Sequence, residues 1–144
     1  MLCIISQVNR KLLHVICRMD DFRTMDKGHQ FVTDRGHSLQ MSMLSELARH
    51  KFDEHYHQPI THSSDGPTLE SWVVVSGAVA VTFFDTDCRK LQRVELKAGD
   101  SFITFAGGHG FEILEDDTFV YEFKTGPYLG KELTKTYIKG NKHA

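Results

Sequence analysis

The sequence is poor in cysteine, proline and tryptophan, with three, three and one of them in 144 residues. Cys3, Cys17 and Cys88 are odd in number and far apart, and no C-x-x-C pair occurs. That excludes a disulfide framework and a structural zinc knuckle; three reduced thiols in a cytoplasmic protein are expected instead. Neither sign of charge predominates. Seventeen Lys and Arg face nineteen Asp and Glu, interspersed along the chain, for a net charge of -2. A nucleic-acid partner needs a basic stripe, so none is expected. No apolar run approaches the roughly 18 residues of a membrane span, so no membrane partner is expected either.

The N-terminal stretch "MLCIISQVNRKLLHVICRM" lacks acidic residues before Asp20. Its positive charges follow the first apolar run, the reverse of a secretory signal. Two readings stand: a strand or helix docking on a partner subunit, or residues upstream of a natural start at Met19. The length suits one domain. It is divided into an N-terminal extension (1–28), a barrel (29–128) and a polar, lysine-rich C-terminal tail (129–144), an appendage over the barrel.

From Leu69 onward the pattern is β. "TLESWVVV" ends at Ser76-Gly77, "AVAVTFFD" follows, and "KLQRVEL" alternates apolar with polar residues. "SFITF", the glycine-rich "AGGHG", "FEILE" and "TFVYEFK" come next, each bounded by Gly, Asp or Pro. Short strands at this spacing indicate an all-β sandwich or barrel. Residues 42–57 carry two patterns. As a helix, "SMLSELARHKFDEHYH" aligns His50, Glu54 and His57 for a bundle-type di-metal site, but no second periodic helix is present to complete one. As a strand, it puts His55 and His57 on one side and Phe52, Glu54 and Tyr56 on the other. The strand is preferred.

Two later segments can reach the side of His55 and His57: Glu70 opens one strand and His109 another. Three imidazoles and a carboxylate suit Fe, Mn, Ni, Cu or Zn as divalent ions and leave coordination positions open. Over residues 55–128 the chain resembles a small single-domain cupin, a double-stranded β-helix of the jelly-roll class. His55-Tyr56-His57 matches the H-x-H of the first cupin motif, G-x5-H-x-H-x3-4-E-x6-G. Glu70 and Gly77 match its second half, and "GDSFITFAGGH" (99–109) corresponds to the second motif, G-x5-P-x-G-x2-H-x3-N. The resemblance implies a single-domain jelly-roll barrel in which His55, His57, Glu70 and His109 bind a divalent transition metal. By the same analogy a homodimer is expected.

The match has departures. Arg49 stands where the first motif has glycine, and twelve residues separate His57 from Glu70. The second motif is one residue short before His109, with Phe105 for its proline and Ile113 for its asparagine. Within the insertion, His62 is either an exposed loop residue or a replacement for one of the ligand pair. His50 is expected at the surface. Strict alternation puts Arg49, Lys51 and Asp53 on the His55 side, where Arg49 or Lys51 either joins an ion pair at the rim or holds an anionic substrate group. Trp72 shares the facing of Glu70, to fill the core or to stack on a sugar. Glu112 and Tyr121 are candidate acid–base groups. The function expected is a metal-dependent enzyme acting on a sugar derivative or carboxylate; the alternative is a binding module that catalyses nothing.

Overall fold

Turn residues at short intervals leave segments too short for helices and rich enough in branched and aromatic residues for strands. The computed structural model describes residues 1–58 and 68–138. The elements run β1 (Leu2–Ile5), β2 (Leu12–Ile16), α1 (Met19–Thr24), β3 (Gly28–Phe31), β4 (Leu39–Glu46) and β5 (Lys51–His57). Then come β6 (Glu70–Ser76), β7 (Ala78–Phe84), β8 (Lys90–Lys97), β9 (Ser101–Thr104), β10 (Gly108–Ile113), β11 (Thr118–Thr125), α2 (Lys131–Thr134) and β12 (Lys135–Tyr137). Strands β12-β5-β10-β7-β8 form one five-stranded sheet and β3-β4-β11-β6-β9 the other, all paired antiparallel. The all-β reading holds, and residues 42–57 are two strands rather than a helix.

The two sheets close on an apolar core in which Leu44, Trp72, Val74, Val81, Phe111 and Ile113 are each at most 4% exposed. Trp72 stacks on Phe111 with ring centroids 3.9 Å apart. The outer face of β4 and β11 is covered too. Phe22 of α1 packs there against Met43 and lies 5.2 Å from the Phe119 ring and 4.8 Å from Tyr121. The N-terminal extension is thus a free-standing hairpin, β1 with β2, followed by a helix that seals one sheet. The C-terminal segment is more than an appendage: β12 hydrogen-bonds to β5 and extends its sheet, with Lys135 opposite His57 and Tyr137 opposite His55. All three cysteines are free, and among the described residues no helix is long and apolar enough to cross a membrane.

Strand β5 does not alternate strictly. On β10, His109 pairs with His55 and Phe111 with Phe52, so three steps on β5 oppose two on β10. This is a β-bulge, one extra residue that reverses the facing of everything before it. Gly110 lies opposite the bulge, and a Cβ there would meet Glu54 Cγ at 2.6 Å and Glu54 Cα at 3.1 Å. The bulge turns Phe52 inward, against Trp72 and Phe111. Lys51 therefore points outward, 4.0 Å from Glu112, and Arg49 sits in the turn between β4 and β5. The inward facing expected for Arg49, Lys51 and Asp53 is corrected accordingly.

Arg49 explains its own departure from the motif. Its φ is +72°, and its N–H donates to the Ile113 carbonyl at 2.8 Å. The turn demands a left-handed residue, and the motif's glycine supplies one without a Cβ. The left-handed region costs a side-chain-bearing residue roughly 1–2 kcal/mol, against roughly 0.5–1 kcal/mol of extra chain entropy lost by glycine. Arg49→Gly is therefore expected to stabilise the protein by up to about 1.5 kcal/mol, seen as a higher urea midpoint with an unchanged slope.

Candidate metal centre

Four side chains from three strands converge at one point between the sheets. His55 and His57 come from β5, Glu70 from the start of β6, and His109 from the start of β10. One nitrogen from each imidazole lies within 4.8 Å of the others. His57 Nε2 is 3.2 Å from His109 Nε2. Glu70 Oε2 is 3.0 Å from His57 Nε2, and Oε1 is 3.2 Å from His109 Nε2. All four side chains are almost wholly shielded from solvent.

Each ring is held from behind. His55 Nδ1 donates to the Asp53 carbonyl at 2.7 Å, which leaves Nε2 as an acceptor. That nitrogen is buried without a hydrogen-bond partner, and Glu70 Oε2 is likewise unsatisfied. His109 Nδ1 lies 2.9 Å from Thr104 Oγ1, so donation there frees Nε2 toward the same centre. Thr104 is itself the register partner of Glu70 across β6 and β9. Buried lone pairs aimed at a common point are costly unless a cation occupies it. A metal–nitrogen distance of about 2.0–2.1 Å places adjacent nitrogens roughly 3 Å apart, as the His57–His109 pair is. The donor set, three imidazoles and one carboxylate with a fixed tautomer at His55, fits a divalent transition metal.

Electrostatics agree with the burial. Desolvation, then the Lys135 and His109 charges, lower the His55 pKa to about 2. Burial opposes ionisation of Glu70, but the imidazoles of His109 and His57 outweigh it and hold the carboxyl well below its usual range.

A cavity of about 410 Å³ opens beside the cluster, lined by His55 and Glu70 among the four. Glu70 and Trp72 line it together, and Trp72 is a core residue as well, its Nε1–H donating to Glu122 Oε2 at 3.3 Å. Lys51 and Asp53 reach its edge, and His50, exposed at the surface, stands at the mouth near Glu46. Arg49 does not line it. Nor does Glu112, which faces outward and pairs with Arg93 at 3.1 Å, or Tyr121, which packs on Phe22 outside the sheet. Burial raises the Tyr121 pKa. His62 lies outside the described residues.

The sequence reading missed the polar residues that surround the candidate ligands. Glu122 and Lys124 of β11, His29 of β3, and Lys135 and Tyr137 of β12 all line the cavity. Lys124 Nζ is 3.3 Å from Glu122 Oε1, and His29 Nε2 is 3.6 Å from the same oxygen. Burial pulls the Lys124 pKa down, yet Glu122 and Glu70 outweigh it and leave it raised. Burial lowers that of His29 despite Glu122.

The fold matches solved structures closely enough to identify it. BH2720 from Bacillus halodurans superposes with a TM-score of 0.62 at 13% identity, over 88% of this chain and 89% of that one. A cupin-2 domain containing protein from Shewanella frigidimarina gives 0.57 at 16% identity, over 78% of this chain and 95% of that one. The chain has the cupin fold. Oxalate decarboxylase of Bacillus subtilis, a protein with Mn(II) centres, gives 0.58 at 19% identity over 76% of this chain. The chain spans only 28% of that enzyme's length. No family model and no curated protein matches the chain in sequence.

The depressed His55 pKa makes the metal-free cupin sensitive to acid. In the unfolded chain His55 takes a proton near pH 6.5, whereas the folded site refuses it down to about 2. Its contribution to stability is thus complete above pH 6.5 and declines as pH falls, by about 1.4 kcal/mol per unit. Urea midpoints of the metal-free protein at pH 7.5, 6.0 and 5.0 should fall, and the fall should be shallower in His55→Gln.

Proposed function

We propose that this cupin holds one divalent transition metal on His55, His57, Glu70 and His109 and acts as an enzyme on a small polar molecule bound in the cavity above it. The observation that carries the reading is the unpartnered His55 Nε2, buried and directed at the place where His57 Nε2, His109 Nε2 and the Glu70 carboxylate already meet. A bound metal would supply Lewis-acid polarisation of a substrate oxygen. Fe, Mn, Ni, Cu and Zn all accept this donor set.

The chain's own residues provide the rest. Asp53 O fixes the tautomer of His55, and Thr104 Oγ1 holds the His109 ring through its Nδ1. The rings of Trp72 and Phe111 form a dry apolar wall beside the ligands. Glu122 takes the acid–base role first expected of Glu112 and Tyr121. Its Oε2 is anchored by Trp72 Nε1, while Oε1 lies between Lys124 and His29 without accepting a hydrogen bond. That oxygen is a carboxylate acceptor fixed at the cavity wall, positioned to receive a proton from a bound molecule.

A second copy is the expected partner. The hairpin β1–β2 exposes Leu2, Ile4, Leu12 and Leu13 to between 41% and 55%, more apolar surface than an isolated two-stranded ribbon carries stably in water.

Metal analysis of the purified protein tests the proposal directly. One equivalent is expected in the wild type, with affinity reduced tenfold or more in His57→Ala and in His109→Ala. Undiminished metal in both variants would remove the site. Glu122→Gln should retain the metal while losing turnover, about 100-fold for removal of a general base.

A further inference from the structure

We infer that the molecule bound in this cavity is an organic anion, and that Lys135 of the C-terminal strand receives its carboxylate. The inference rests on the metal-binding reading above and names the ligand class of that site. Lys135 lies opposite His57 in the β5–β12 ladder, and Tyr137 opposite His55. Cross-strand partners share a face, so Lys135 projects inward with the histidines, and it lines the cavity beside Glu70.

The other lysines of the wall are already paired or peripheral. Lys124 Nζ is 3.3 Å from Glu122, Lys51 is 4.0 Å from Glu112, and Lys131 is exposed. Among the described residues no carboxylate comes within ion-pair distance of Lys135. The interior carboxylate of the ligand set, Glu70, has its oxygens against His57 and His109, where a metal would engage them. A half-buried ammonium without a counter-ion is costly unless a ligand supplies one.

The charge around the cavity points the same way. Its lining holds four carboxylates (Glu46, Asp53, Glu70, Glu122) and four lysines (Lys51, Lys124, Lys131, Lys135), which cancel. A divalent cation on the four ligands then makes the cavity positive. An organic anion would neutralise both a cation held by these residues and Lys135, whereas a neutral polyol would neutralise neither.

Co(II)-loaded full-length protein, titrated with malonate and with its neutral analogue malonamide, tests this by calorimetry and by the visible Co(II) spectrum. Malonate should bind and perturb the spectrum; malonamide should not. Lys135→Met should weaken malonate by about tenfold or more, the loss expected for a charge-assisted contact. Its Co(II) stoichiometry and ligand-free spectrum should be unchanged. Lys135→Arg should recover most of the affinity, and Thr136→Val, on the opposite face of the same strand, should leave it intact. Equal binding of malonate by wild type and Lys135→Met, equal binding of malonamide, or failure of acetate, oxalate and malonate alike to bind the Co(II) protein would each overturn the inference while leaving the metal site standing. Failure of the wild type to take up Co(II) would overturn both.

Discussion

The site depends on one extra residue in β5. The bulge opposite Gly110 lets a single strand place Phe52 in the apolar core and, three residues later, His55 at the candidate metal centre. Without it, inward facing at Phe52 would send His55 and His57 to solvent, because side-chain facing in a strand repeats every two residues. The same distortion provides the Asp53 carbonyl that binds His55 Nδ1 and leaves Nε2 bare. Gly110 leaves room for Glu54, whose Cγ a Cβ at position 110 would meet at 2.6 Å and whose Cα it would crowd at 3.1 Å. Core packing, ligand facing and ligand tautomer thus share one local cause.

The second constraint is that this core contains charge. His55, Glu70, His109, Glu122 and Lys124 are each 7% exposed or less, in a region a purely structural barrel would fill with aliphatic side chains. Each is held by a neighbour on an adjacent strand: Glu70 by the two imidazoles, Glu122 by Trp72 and Lys124, His109 by Thr104. Such networks rarely add net stability over a well-packed apolar alternative. Their concentration at one end of the barrel, around a cavity, is the signature of a site rather than of a scaffold.

How much of this was legible in the sequence follows from the same physics. The strands after Leu69 were readable because turn residues mark their ends and branched residues fill them, and the four converging residues were readable from the His-x-His pair with its two downstream partners. The facing of Arg49, Lys51 and Asp53 was not, because a bulge is set by pairing with β10 and leaves no mark in the alternation of β5 alone. Glu122 was passed over for a related reason. Simple strand alternation in "TFVYEFK" would set Phe119, Tyr121 and Phe123 on a buried face and Glu122 and Lys124 on a wet one. The structure inverts this, because Phe22 of α1 covers Phe119 and Tyr121 from outside. A sheet sealed on both faces gives no clean hydrophobic alternation. The lysine-rich C-terminal segment was read as an appendage over the barrel, because no local signal marks that Lys135–Tyr137 would pair with β5.

The twelve residues between His57 and Glu70, the largest departure from the cupin motif, bear on the site less than their number suggests. Spacing along the chain matters for a metal site only when the connecting segment itself positions the ligands. Here His57 is held by the ladder to β12 on one side of β5, while His55 is registered against His109 on β10. Glu70 is registered against Thr104 on β9 and Lys124 on β11. Hydrogen-bonded neighbours thus fix each ligand independently of the segment that joins them, and a longer connection adds only a slowly growing loop-closure entropy. The four side chains therefore converge although the motif's spacing is not kept, and the pairing of strands distant in sequence carries the geometry.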